Sequence, residues 1–366
     1  MVEKELQFFI DEEVPQVKFV DRTFNCNHKH AIAIWKYIKE HDKGITNFHF
    51  EVAADLLNEE ELKLIESMRP GLIQLEIGVQ STNEQTIREI RRTMRFEEVA
   101  RIVQRINQGE NVHQHLDLIA GLPYEGMESF QKSFDDVYRL HPEQLQLGFL
   151  KVLKGSYMES QKERYGLVYK SRPPYEVLYT NWLSYEEMMR LKSVEEMVEV
   201  YYNSGQFSYC LRKLEEEYAS PFVLYQELGR YYENHELMSH SRITRYEILL
   251  GFVREKHKER ERLYRELLTF DLYFRENVKN RPEFAGEHEV SKDWLNAFYE
   301  TESKEHQYLI GYEAYDKRQL RKMTHIEKFH YDVLGTCEEK EKFILFDYQN
   351  RSRLTHQAAV TEIETE

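Results

Sequence analysis

The sequence predicts an α/β protein: a partial (β/α)6, TIM-like barrel of parallel strands in residues 1–167, followed by a mainly α-helical domain in residues 168–366. Three observations lead there. Strand-like runs alternate apolar with polar residues, amphipathic helical stretches lie between them, and beyond about residue 167 the pattern becomes helical after the break Ser171-Arg172-Pro173-Pro174.

In chain order, residues 3–11 read as a helix, and a first strand is expected near 17–21, ending at Asp21. Ala31, Ile34, Trp35 and Ile38 then fall at helical spacing. In a strand near 47–52, His49 and Glu51 lie opposite Phe48 and Phe50. After a helix carrying Leu62 and Ile65 comes the most informative run, residues 72–81: Leu75, Ile77 and Val79 form one face, and Glu76, Gly78 and Gln80 the other. A helix with Val99, Ile102, Val103 and Ile106 leads to a strand near 112–119, where Asp117 shares its face with His113 and His115. Phe130, Phe134 and Val137 mark the next helix, and a fifth strand runs near 144–150 to Leu150. Strand–helix alternation implies right-handed crossovers and a parallel sheet, with ligands at the carboxyl ends of the strands. Polar groups from three strands thus share one interior.

The segments Phe48-His49-Phe50-Glu51, Glu76-Ile77-Gly78-Val79-Gln80-Ser81, Arg92 and Asp117-Leu118-Ile119-Ala120-Gly121-Leu122-Pro123 resemble those of the radical S-adenosylmethionine (SAM) enzymes. The similarity is to the branch with an N-terminal cobalamin-binding domain and an uncharacterised helical C-terminal domain. It extends to oxygen-independent coproporphyrinogen dehydrogenase, where a Gly-x-Gln-Ser strand and an Asp-x-x-x-Gly-x-Pro strand contact SAM. The resemblance implies a SAM site made of Glu51, Gly78, Gln80, Arg92 and Asp117, with no residue assigned to a metal. SAM presents an ammonium, a carboxylate and a ribose diol. Glu51 and Gln80 suit the ammonium or ribose end, Asp117 the diol, and Arg92, or its neighbour Arg91, the carboxylate, while Gly78 lets the ligand approach the backbone.

The family's reaction would be reductive cleavage of SAM at a 4Fe-4S cluster to a 5′-deoxyadenosyl radical, with cobalamin assistance where that domain is present, on an unknown substrate. The cluster requires Cys-x-x-x-Cys-x-x-Cys, and the three cysteines here, Cys26, Cys210 and Cys337, cannot form it. Residues 3–11 resemble the helix that follows the cluster loop. The expectation is therefore that Met1 is a late start or a cloned boundary, and that this chain assembles no cluster and is inactive alone.

With 65 acidic against 50 basic side chains, the net charge of −15 argues against nucleic-acid binding. No signal peptide or membrane span is visible, and three unpatterned cysteines suit a reducing cytoplasm. An unpaired edge on the first strand would serve as a dimerisation template.

In the C-terminal half, Ser184-Tyr185-Glu186-Glu187 reads as a capping box opening a helix that stops near Gly205. Further helices are expected over 220–232, with Ser220 as cap and Pro221 at its first position, and over 241–277. Two strands, 329–333 and 343–348, are placed to pair, and the last ten residues read as frayed. Two other functions stand beside the SAM reading: a metal-dependent hydrolase using His113, His115 and Asp117 on the same barrel, and a non-catalytic scaffold. Taken singly, each of Glu51, Gln80 and Asp117 is better explained as a barrel-interior group satisfied by the others, and it is the whole set in register across successive strands that favours a SAM-type site.

Overall fold

A computed structural model describes residues 2–238 and 240–364. Met1, on which the expectation about the chain start falls, lies outside the described residues. The chain divides into two units, one comprising Met1–Asn203 with Tyr218–Arg230 and the other Ser204–Glu217 with Tyr231–Glu366.

The first unit is built on a five-stranded parallel sheet in sequence order, β1 (Gln16–Lys18), β2 (Asn47–Val52), β3 (Ile73–Gln80), β4 (His113–Ala120) and β5 (Gln144–Phe149). Helix α1 (Val2–Asp11) precedes it, and α2 (His28–His41), α3 (Glu59–Glu66), α4 (Glu84–Glu89), α5 (Phe96–Asn107) and α6 (Met127–Tyr138) make the crossovers. This is the partial barrel that the alternation of strand and helix patterns implied. Helices α2, α3, α5 and α6 bury the stripes their spacing marks, including Ile34, Trp35 and Ile38 on α2 and Val99, Ile102 and Val103 on α5. Leu75, Ile77 and Val79 are at most 1% exposed, whereas Glu76, Gly78 and Gln80 keep partial exposure on the other face.

β1 is shorter than expected, ending at Lys18. Phe19 still donates its N–H to His49 C=O, but its ring turns aside to stack on Phe50, and Asp21 lies exposed beyond the strand. After the short α7 (Tyr157–Ser160), a small antiparallel pair, β6 (Val168–Tyr169) and β7 (Val177–Tyr179), was not foreseen in the sequence. It packs where Gly121 leaves space: φ is +88° there, and a Cβ would stand 2.6 Å from Val177 Cγ1. Helix α8 (Tyr185–Met197) opens with the expected Ser184–Glu187 capping box and runs into a π-helical turn, Val198–Asn203, just before Gly205.

The second unit contains α9 (Ser208–Glu215), while α10 (Pro221–Asn234) lies mostly in the first. Helices α11 (Arg242–Lys256), α12 (Glu261–Arg275), α13 (Lys292–Glu305) and α14 (Lys317–Met323) accompany a three-stranded antiparallel sheet. Its strands are β8 (Thr324–Tyr331), β9 (Glu339–Asp347) and β10 (Ala359–Ile363), with β9 central. Two expectations are corrected here. The continuous helix over 241–277 breaks at His257, whose φ and ψ of −139° and 47° leave the helical region, so two helices form instead of one. The tail read as frayed supplies β10, because Ala359–Ile363 pairs with Phe343–Asp347 and buries Ile363. A buried Asp271 on α12 accepts the Tyr209 and Cys210 N–H groups at the start of α9, at 3.0 and 2.9 Å. Among the described residues, no helix is long and apolar enough to cross a membrane.

Candidate functional site

Strand parity gathers the polar groups on the sheet face opposite Phe48, Phe50, Leu75 and Ile77, and strand register arranges them in rows. Lys18 pairs with His49, Glu51 with Glu76, Glu76 with His115, and Gly78 with Asp117. Lys18 Nζ–H donates to Glu76 Oε2 at 2.9 Å and stands 3.9 Å from Glu51. His49 Nε2 is 3.0 Å from the same Glu76 oxygen, and His115 Nε2 is 2.7 Å from Asp117 Oδ1.

The electrostatics follow from this crowding. Burial pushes the Glu76 carboxyl up, but the Lys18 ammonium and the two imidazoles hold it below its ordinary value. The bond to Glu76 raises Lys18. Glu51 is raised, by burial first and then by the neighbouring Glu76 charge. Burial lowers His49, and lowers His113 to about 4, so both rings are neutral at pH 7.

Towards the carboxyl ends, the register between β3 and β4 shifts between Gly78 and Gln80, and Gln80 takes a φ of +71°. Its side chain thereby folds back over Gly78: a Cβ on residue 78 would lie 2.5 Å from Gln80 Nε2 and 3.6 Å from Arg92 Nη1. Arg92 Nη2–H donates to Gly78 C=O at 2.9 Å, and its guanidinium, lowered by burial, lies in the field of Asp55 and Asp117. Arg91 is instead exposed, its guanidinium 3.8 Å from the centroid of the Tyr157 ring. Four of the sequence-derived positions, Glu51, Gly78, Gln80 and Asp117, thus share one face of the sheet, and Arg92 reaches it from the loop after α4. Gln80 and Arg92 both approach Gly78, and Glu51 feels the Asp117 charge.

The loops after β3 and β4 are tied together. Ser81 Oγ–H donates to Glu125 Oε1 at 2.6 Å, Ser133 Oγ–H to the same oxygen at 2.8 Å, and Thr86 Oγ1–H to Pro123 C=O at 2.9 Å. Glu125 is fully buried, and desolvation pushes its carboxyl up to about 7 against the opposing serine hydrogen bonds. Lys18, Asp55 and Glu125 escaped the sequence reading. Lys18 was within reach of it, since its parity is opposite to that of Val17 and Phe19; Asp55 and Glu125 lie in loops without periodicity.

The three thiols do not fit a 4Fe-4S cluster. Cys26 is exposed in the first unit, whereas Cys210, fully buried, and Cys337 belong to the second.

Residues 163–346, half of the chain, match the family described as Protein of unknown function (DUF4080). Residues 1–137 match the Radical SAM superfamily. The chain is 27% identical over 172 residues to the oxygen-independent coproporphyrinogen-III oxidase-like protein HemZ of Bacillus subtilis (strain 168), covering 38% of this chain and 34% of that protein. It therefore spans about a third of the length of that curated relative. Among solved structures, the radical SAM methyltransferase TsrM from Kitasatospora setae, with cobalamin and a [4Fe-4S] cluster bound, shares 14% identity and a TM-score of 0.39 over 50% of this chain and 37% of its own. Coproporphyrinogen III oxidase HemN from Escherichia coli, a radical SAM enzyme, shares 19% and 0.33 over 40% and 36%.

Proposed function

The chain belongs to the family described as Protein of unknown function (DUF4080), its first 137 residues match the radical SAM superfamily, and from that premise we propose that its barrel face binds SAM. The observation that carries the reading is the cradle at Gly78. Only hydrogen stands at that position, Gln80 and Arg92 close over it, and Asp117 is its register partner on β4. A ligand there meets a guanidinium for a carboxylate, a carboxamide and Glu51 for an ammonium, and the Asp117 carboxylate for a ribose diol. Gln80 Oε1 is buried without a hydrogen-bond partner, as expected of an acceptor kept for a ligand, while Asp117 Oδ1 lies 2.7 Å from His115 Nε2.

These side chains bind and orient. Arg92, held by Gly78 C=O, has little freedom to search, and the hydrogen-bonded loops around Glu125 fix the strand ends that carry the site. In a radical SAM reaction a 4Fe-4S cluster supplies the electron. Because Cys26, Cys210 and Cys337 do not fit that group, the reading takes the cluster ligands to be other thiolates, and assigns no electron-transfer step to this face.

Equilibrium dialysis with labelled SAM tests the assignment. Asp117→Ala and Arg92→Ala should each weaken binding by about 1–3 kcal/mol through loss of a charge-assisted hydrogen bond, with the fold intact by circular dichroism. SAM affinity unchanged in both variants, or absent from the unaltered protein, refutes the reading.

A further inference from the structure

The row beneath the Gly78 cradle holds two imidazoles and a carboxylate in an arrangement that the SAM reading does not use. We infer that His49, Glu76 and His115 form a mononuclear site for a divalent transition-metal ion.

His49 and His115 are 8% and 6% exposed, and the Nε2 atom of each is buried without a hydrogen-bond partner. The close approaches to Glu76 and Asp117, at 3.0 and 2.7 Å, lack the alignment of hydrogen bonds. Two buried, unsatisfied ring nitrogens beside one another carry a desolvation cost that a bound ion would offset. One donor atom from each of His49, Glu76 and His115 lies within 4.8 Å of the others. Small side-chain rotations would bring all three to the ~2.0–2.2 Å typical of zinc–nitrogen and zinc–oxygen bonds.

Backbone geometry explains the cluster. Glu76 and His115 are direct register partners on adjacent parallel strands, and His49 stands two residues before Glu51, the partner of Glu76 on its other side. All three side chains face the interior by parity. The hydrolase alternative drawn from His113, His115 and Asp117 names a different set: His113 is not among the convergent donors, whereas His49 and Glu76 are.

Imidazole and carboxylate donors, with no thiolate, suit zinc, ferrous iron, cobalt or nickel. The cation now against Glu76 is Lys18, whose side chain is 47% exposed. A metal ion would take over its charge-neutralising role and leave Lys18 to Glu51, 3.9 Å away. Three protein ligands leave at least one coordination position open, the arrangement of catalytic rather than closed structural sites.

The site stands independently of SAM binding, and the test uses Co2+ alone with the full chain. The expected result is one Co2+ per chain with visible d–d absorption and no thiolate charge-transfer band. His49→Ala and His115→Ala should weaken binding by more than about tenfold, the smaller end of what even an outer-shell partner costs. Should either alanine variant fail to fold, Glu76→Gln gives the same reading. Lys18→Met should tighten binding, because it removes the competing ammonium, an effect that a purely structural cluster would not produce. No stoichiometric Co2+ uptake, or uptake indifferent to His49, Glu76 and His115, overturns the inference.

Discussion

Asn203 and Leu145 exchange two hydrogen bonds as though a strand lay beside β5: Leu145 N–H donates to Asn203 Oδ1, and Asn203 Nδ2–H donates to Leu145 C=O, both at 2.9 Å. β5 is an outer strand of the parallel sheet, and a single carboxamide at the end of the π-helical turn satisfies one residue of its edge. Asn203→Ala should cost about 1–3 kcal/mol, the penalty for leaving backbone polar groups unpaired, read from urea unfolding monitored by far-ultraviolet circular dichroism. Unchanged stability would mean that water replaces the carboxamide at no cost.

Gly78→Ala should spare the fold and damage SAM binding. The added methyl meets the terminal amide of Gln80, which can swing away, but in doing so it vacates the ligand position. Melting temperature and SAM affinity should therefore separate, the first nearly unchanged and the second reduced. A variant that binds SAM normally would remove Gly78 from the site.

The contributions of Glu125 and Asp271 to stability should fall as pH rises from about 4 to 7. Glu125 and Asp271 are both buried carboxyls pushed up to about 7, from ordinary values of 4.5 and 3.8, desolvation being the largest cause. Between those limits the folded chain holds more protons than the unfolded one, so their contribution is fully present only below the ordinary values and is lost through the folded ones. Glu125→Gln keeps an oxygen for Ser81 and Ser133 and should flatten part of the slope, raising stability at pH 8 relative to the parent. Denaturant titrations at several pH values check this, and an unaltered slope would show that Glu125 ionises normally.

Amides of residues 16–18 should exchange faster than those of 75–79. Among the described residues β1 pairs only with β2, whereas β3 lies between β2 and β4. Mass-spectrometric hydrogen exchange reads the difference directly. Equal protection that depends on protein concentration would show a second copy paired on the β1 edge, and equal protection independent of concentration would show the edge covered within one chain.

Anaerobic reconstitution of this polypeptide with iron and sulfide should leave no 4Fe-4S absorbance or paramagnetic signal. Its thiols are an exposed Cys26, a buried Cys210 whose thiol burial pushes well up, and a Cys337 likewise raised by burial. A stoichiometric cluster on these 366 residues would overturn the expectation that these three cysteines do not supply its ligands.

The shared face of the candidate site was legible in the sequence, because side-chain parity is a local property of an extended chain. Glu76-Ile77-Gly78-Val79-Gln80 states by itself which residues face the helices and which face the interior, and the same holds for His113, His115 and Asp117. Helical stripes such as Ile34, Trp35 and Ile38, and the Ser184–Glu187 capping box, are equally local. Tertiary structure alone decided what depends on pairing between distant segments. The register shift that turns Gln80 over Gly78, Arg92 rather than Arg91 reaching Gly78 C=O, Lys18 reaching Glu76, and His49 lying near His115 across β3 all depend on how distant segments come together. So do β10, held by β9 although its own sequence reads as a loose tail, and Asn203 at the β5 edge. Backbone period travels with the sequence, whereas register and diagonal neighbours exist only once strands separated by dozens of residues have paired.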